Sequence, residues 1–241
     1  MGLTMKSLYF LITFIFGISL VKAQTYEIGP ILGNTAFVGD VGSTQVINPD
    51  QFLELDKMSY GLLFRWNRSN RHSFRFSATK FRTFVKDSES NIPERQIRNL
   101  SFNSDINELS IGLEYTFWEW DLHSVKRPQF VPYLSTGVAY FFTEHQARAG
   151  DDLIESGDLN GFAIPLTFGV KTTILRRFVL SAEFSARYTF TDNIDGSAPE
   201  ELESNNAFTE FGNPNSNDWY IFAGFSLTYT FGRKPCYNCK F

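Results

Sequence analysis

Cysteine, histidine and long apolar runs are all scarce in this chain, and each scarcity removes a class of protein. Cys236 and Cys239 are the two cysteines of the 241 residues. Both lie at the C-terminal end, so no disulfide framework can hold the body of the fold. The three histidines, His72, His123 and His145, have no metal-ligand spacing, and no Ser/His/Asp grouping surrounds them. No catalytic residue, cofactor site, metal site or small-molecule substrate can be assigned. After residue 23 there is no run of about 18 apolar residues, which excludes helical membrane spans. Cations are outnumbered as well, with 22 Lys and Arg against 26 Asp and Glu. Nucleic acid calls for clustered basic residues and is not expected as a partner.

What is abundant is aromatic. Phe, Trp and Tyr make up 17% of the chain, with 26 Phe. The first such stretch is a targeting segment. Lys6 precedes an apolar run from Leu8 to Val21, and Val21-Lys22-Ala23 puts small residues one and three positions before Gln24. That is the pattern of a signal peptide at 1–23. About 14 apolar residues are too few for a span of roughly 20. Its removal takes Lys6 and Lys22 away, so the formal charge of −4 becomes −6.

The remaining aromatics recur with period two. From Phe162 to Ile174, Phe162, Ile164, Leu166, Phe168 and Val170 fall on one strand face, and Ala163, Thr167, Gly169 and Lys171 on the other. Pro165 suggests a bulge or a weak pairing point there. Seven further segments alternate in the same way, beginning near Tyr26, Met58, Phe74, Leu109, Phe130, Phe178 and Trp219. Eight strands of about 9 to 15 residues suit a tilted bilayer crossing. The predicted connections alternate too. Long polar ones run over Asn34–Lys57, Val85–Asp105, Thr143–Leu159 and Thr191–Asn217, and short ones over Asn67–His72, Glu119–Arg127 and Leu175–Arg177.

This pattern predicts an all-β fold, an eight-stranded antiparallel transmembrane barrel over 24–231 with long external loops and short periplasmic turns. A soluble sandwich or lipocalin-like barrel would show water a charged face. Here the second face is mostly Gly, Ser, Thr and Ala, fitting a narrow lumen. Its charges have both signs: Glu27, Arg65, Arg75, Glu108, Glu114, Lys171, Glu183 and Arg187. Buried together they require partners.

Two loop segments, Gly150-Asp151-Asp152 and Asp192-Asn193-Ile194-Asp195-Gly196, resemble fragments of a calcium loop. The second lacks the spacing and terminal Glu of an EF-hand, so both read as solvated carboxylates. The tail at 232–241 gathers Arg233, Lys234, Cys236 and Cys239. A Cys-x-x-Cys pair alone does not complete a zinc site. A local disulfide, a covalent or redox tie to a partner, and shared metal binding all remain open.

Specific motifs point further. They are Phe37-Val38-Gly39-Asp40-Val41-Gly42-Ser43, Phe64-Arg65-Trp66-Asn67-Arg68-Ser69 with Arg71-His72-Ser73, and Arg187-Tyr188-Thr189-Phe190-Thr191-Asp192. The most specific block runs from Asn217-Asp218-Trp219-Tyr220 to Thr228-Tyr229-Thr230-Phe231-Gly232-Arg233-Lys234-Pro235-Cys236. In these the chain resembles the PorG-like outer-membrane barrels of the type IX secretion system. The resemblance implies a non-enzymatic scaffold that anchors periplasmic ring proteins of the PorK and PorN type to the outer membrane, and the even strand count independently puts both termini on the short-turn, periplasmic side. The rival expectations are a surface barrel for adhesion or ligand binding, and a lipid-modifying enzyme using His145.

Overall fold

A computed structural model of the chain describes residues 25–38, 58–89, 93–98, 100–124, 128–149, 152–175, 177–191, 194 and 218–232. Eight strands close into one antiparallel barrel in sequence order. They are β1 (Thr25–Val38), β2 (Met58–Asn67), β3 (His72–Lys86), β4 (Leu100–Thr116), β5 (Phe130–Ala149), β6 (Asp152–Thr173), β7 (Phe178–Thr189) and β8 (Trp219–Gly232). The seam pairs β1 with β8 from Thr25↔Gly232 to Val38↔Trp219, so no edge is left open around the ring. One short helix, α1 (Pro93–Arg98), lies between β3 and β4. Among the described residues no helix is long and apolar enough to cross a membrane.

The period-two pattern becomes the two surfaces of the wall. Leu62, Leu109, Ile111, Leu166, Phe168 and Phe225 point outward and are 53–63% exposed. Residues one position along, such as Ser59, Glu108, Glu114, Thr167 and Ser185, are buried inside. A soluble barrel has the opposite arrangement.

Strand lengths depart from the sequence reading. Thr143–Leu159 is not a long polar loop: β5 and β6 continue through it as a hairpin, pairing up to Ala149↔Asp152, with one register shift at Ala147/Arg148. Strand pairing also takes over both ends of Val85–Asp105, where Lys86 pairs with Ser101, and the start of Asn34–Lys57, where β1 runs on to Val38. Polarity misled here, because backbone hydrogen bonds alone hold a ladder together and require no apolar face. Pro165 makes no bulge. The β5–β6 ladder lapses between Thr136↔Leu166 and Ala139↔Ala163, yet the register is the same on both sides. Proline withholds one N–H without displacing the strand.

Candidate functional site: the filled lumen and its two ends

The strand pattern sends four acids and four cations into one narrow space. Glu27, Glu108, Glu114 and Glu183 face Arg65, Arg75, Lys171 and Arg187, all buried. The charges cancel, and each cation has a carboxylate within reach.

Glu114 on β4 holds two of them, accepting from Arg65 Nε at 2.8 Å and from Lys171 Nζ at 2.6 Å. Arg65 also reaches Glu27 at 3.3 Å. Glu27 further accepts from Thr228 Oγ1 at 2.9 Å and Asn67 Nδ2 at 3.0 Å. Tyr133 donates to Glu183 at 2.8 Å. Its ring fits because the facing residue is Gly169, where a Cβ would lie 2.5 Å from the Tyr133 ring. Nearer the long connections, Arg187 Nε and the Tyr220 hydroxyl donate to one oxygen of Glu108 at 3.0 and 2.6 Å.

Both ends of this ionic layer are covered. Towards the long connections, Phe37, Phe81, Phe102, Phe141, Tyr220 and Phe222 form a buried cluster with Ile31, Ile106 and Ile194. Arg187 lies 4.4 Å from the Phe81 ring centre, joining the two layers. At the opposite end the connection between β4 and β5 folds inward. Trp120 and Leu122 are buried against Val131 and Val179. The Trp120 indole donates to Glu27 at 3.4 Å, and Lys171 Nζ lies 4.9 Å from its ring centre. The Trp120 backbone N–H is fixed to Asn70 O at 2.8 Å. A notch of about 720 Å³ opens instead on the outer wall, between Leu32, Phe168, Phe184 and Phe225.

The inward aromatics are what the sequence reading lacked. Apart from Tyr220, which alternation puts on the inner face of the last strand, it assigned aromatic side chains to the outer face and small ones to the lumen. The signal was present in apolar runs that break the alternation of apolar with polar residues, Phe141-Phe142 and Tyr220-Ile221-Phe222. Trp120 was read as part of a plain turn.

The histidines do not come together. His72 opens β3, and its ring lies 5.3 Å from that of Tyr115. His123 shares a 2.9 Å hydrogen bond with Thr25 at the short-connection end. His145, expected just beyond the fifth strand, lies within β5 opposite Ser104 and Gly157. Among the described residues no group of His, Cys, Asp or Glu is placed to hold a metal. The segment 1–23 and the tail residues Arg233, Lys234, Cys236 and Cys239 lie outside the described residues.

A family model matches residues 6–240. The chain belongs to that family, a domain of unknown function designated DUF6089. No curated protein sequence matches this DUF6089 chain. Solved structures similar to it include a major outer membrane protein of Thermus thermophilus, at 12% identity and a TM-score of 0.48, covering 87% of this chain and 100% of that one. The N-terminal β-barrel domain of Pseudomonas aeruginosa OprF gives 14% identity and a TM-score of 0.46, with coverage of 87% and 100%. Ail, the attachment invasion locus protein of Yersinia pestis, gives 11% and 0.42, with coverage of 88% and 100%.

Proposed function

We propose that this chain is an integral outer-membrane barrel that serves the type IX protein secretion machinery as a non-enzymatic scaffold, holding periplasmic ring proteins of the PorK and PorN type at the membrane. On this reading residues 1–23 are removed on export, 24–231 span the membrane, and 232–241 extend into the periplasm. The observation that carries the reading is the filled lumen beneath an apolar outer wall. A wall of Leu, Ile and Phe suits lipid. An interior closed by Trp120, by ion pairs and by an aromatic cluster leaves no passage for a polypeptide. A barrel of this kind serves secretion through its ends. The motifs shared with the PorG-like barrels favour that use, and Arg233, Lys234, Cys236 and Cys239 supply a short basic, thiol-bearing peptide for the contact.

Crosslinked pull-down from intact envelopes tests it: periplasmic ring proteins should be recovered with the barrel. Replacing Cys236 and Cys239 with Ser should lower ring retention and secretion while barrel level and heat-modifiable mobility stay unchanged. If the tie is an intermolecular disulfide, a heavier band on non-reducing gels should vanish with dithiothreitol. Recovery of no ring protein, with function lost on trimming the long connections, would replace the scaffold by an adhesion or ligand-binding barrel. Loss of a lipid-modifying activity on His145→Ala with assembly intact would make it an enzyme.

A further inference from the structure

Two groups of arginines stand apart among the described residues. Those in the lumen meet carboxylates at 2.7–3.3 Å. At the end with the short connections, Arg68, Arg71 and Arg177 are exposed and form no ion pair among the described residues. Two of them are held by tyrosines of the outer wall. Arg71 Nη1 donates to the Tyr115 hydroxyl at 3.5 Å and to Phe117 O at 3.4 Å. Arg177 Nη1 donates to the Tyr229 hydroxyl at 2.7 Å. These bonds hold the two guanidiniums beside tyrosines of the outer wall.

Sequence charge agrees with that placement. The three connections at this end contain six Lys or Arg and two Asp or Glu, whereas the four at the other end contain three and fifteen. Phosphate is the anion expected where an uncompensated guanidinium stands beside a tyrosine at the edge of a lipid-facing surface. Its oxygens match the arginine fork, and the tyrosine hydroxyl can donate as well. Amphipathic rings of this kind settle at headgroup depth.

Resting on the reading of the chain as a membrane barrel, we propose that Arg71 with Tyr115, and Arg177 with Tyr229, are two clamps for the phosphate headgroups of anionic phospholipid in the leaflet at the short-connection end.

The test inserts the full chain into phosphatidylcholine vesicles that contain brominated phosphatidylglycerol or, at equal mole fraction, brominated phosphatidylcholine. Quenching of tryptophan fluorescence is then read. Trp118, exposed at this end, reports locally. Phosphatidylglycerol should quench the wild type at a lower mole fraction than phosphatidylcholine, and R71Q and R177Q should each reduce that preference by about fivefold. R71K and R177K keep the charge without the fork and should retain part of it. Millimolar inorganic phosphate should leave the preference intact. Equal quenching by the two lipids, or a preference unchanged in R71Q/R177Q, overturns the clamps. A preference abolished by free phosphate overturns the lipid as ligand. Absence of lipid preference, with ring retention lost in R71Q/R177Q, overturns it in favour of an acidic protein contact. A chain that never gives a heat-modifiable barrel in phosphatidylcholine alone would instead defeat the membrane reading.

Discussion

Arg75 and Glu183 meet as a fork across the lumen, Nη1 to Oε2 at 2.8 Å and Nη2 to Oε1 at 2.7 Å. They stand on β3 and β7, opposite strands of the eight, so the pair braces the full width of the barrel. Removing one partner strands a buried charge. Glu183→Ala should cost about 3–5 kcal/mol, whereas Arg75→Met with Glu183→Leu should cost less, because no ion is left behind. Denaturant titration in lipid, read by heat-modifiable mobility, measures both. A double variant as unstable as the single one would contradict the pairing argument.

The outer wall makes a separate demand. Leu166 and Phe184 face outward at mid-strand. Arginine at either should cost about 2–4 kcal/mol if the site lies at the bilayer midplane. Ser185 is fully buried and shares a 2.6 Å hydrogen bond with Thr167. Arginine there should act through luminal packing instead. The same titration in thick and thin bilayers separates them, because only the wall variants should respond to membrane thickness.

Trp120 is the lid at the short-connection end. Its removal uncovers Lys171 and takes one donor from Glu27. Planar-bilayer recordings should find no steady current through the wild type and brief, small openings in Trp120→Ala. A wild type that conducts steadily would disprove the closed lumen.

Barrel closure leans on the last strand. Phe231 stacks on Tyr26 at 5.5 Å between ring centres, next to the terminal pair Thr25↔Gly232. Phe231→Ser should lower the inserted fraction in vivo, while deletion of 233–241 should leave it unchanged, because the β1–β8 ladder is complete at Gly232. Fractionated membranes and heat-modifiable mobility give the readout.

Strand number, wall orientation and the sides taken by Glu27, Arg65 and Lys171 were legible because a wall with an apolar outer face and a polar inner face forces strict alternation along each strand. Legibility fades where that force stops. Above the wall, residues such as Thr143–Leu159 stay in ladders without any apolar face, and polarity alone made them look like loop. Inside the wall, the constraint is volume and charge balance, which period two does not encode. Phe141 and Phe222 could be placed inward only by noticing that each has an apolar neighbour already facing out. The partnership of Arg75 with Glu183, 108 residues apart, follows from closure and has no local signature.

The β5–β6 hairpin sets a height. β6 pairs with β7 only from Ala163↔Thr189 onward, and residues 152–162 are strand beyond that point. At about 3.3 Å per residue this arm is roughly 35 Å long, and with a tilt near 45° it rises about 25 Å. If the barrel spans a bilayer as proposed, Phe162, the first large outward apolar residue of the wall on β6, marks where it leaves the hydrocarbon. The polar layer above that level is only about 5–8 Å deep. On that reading an approaching molecule meets the arm long before it reaches the membrane, and the arm is braced from one side, because β4 stays paired with β5 as far as Leu100↔Ala149 and β3 with β4 as far as Lys86↔Ser101.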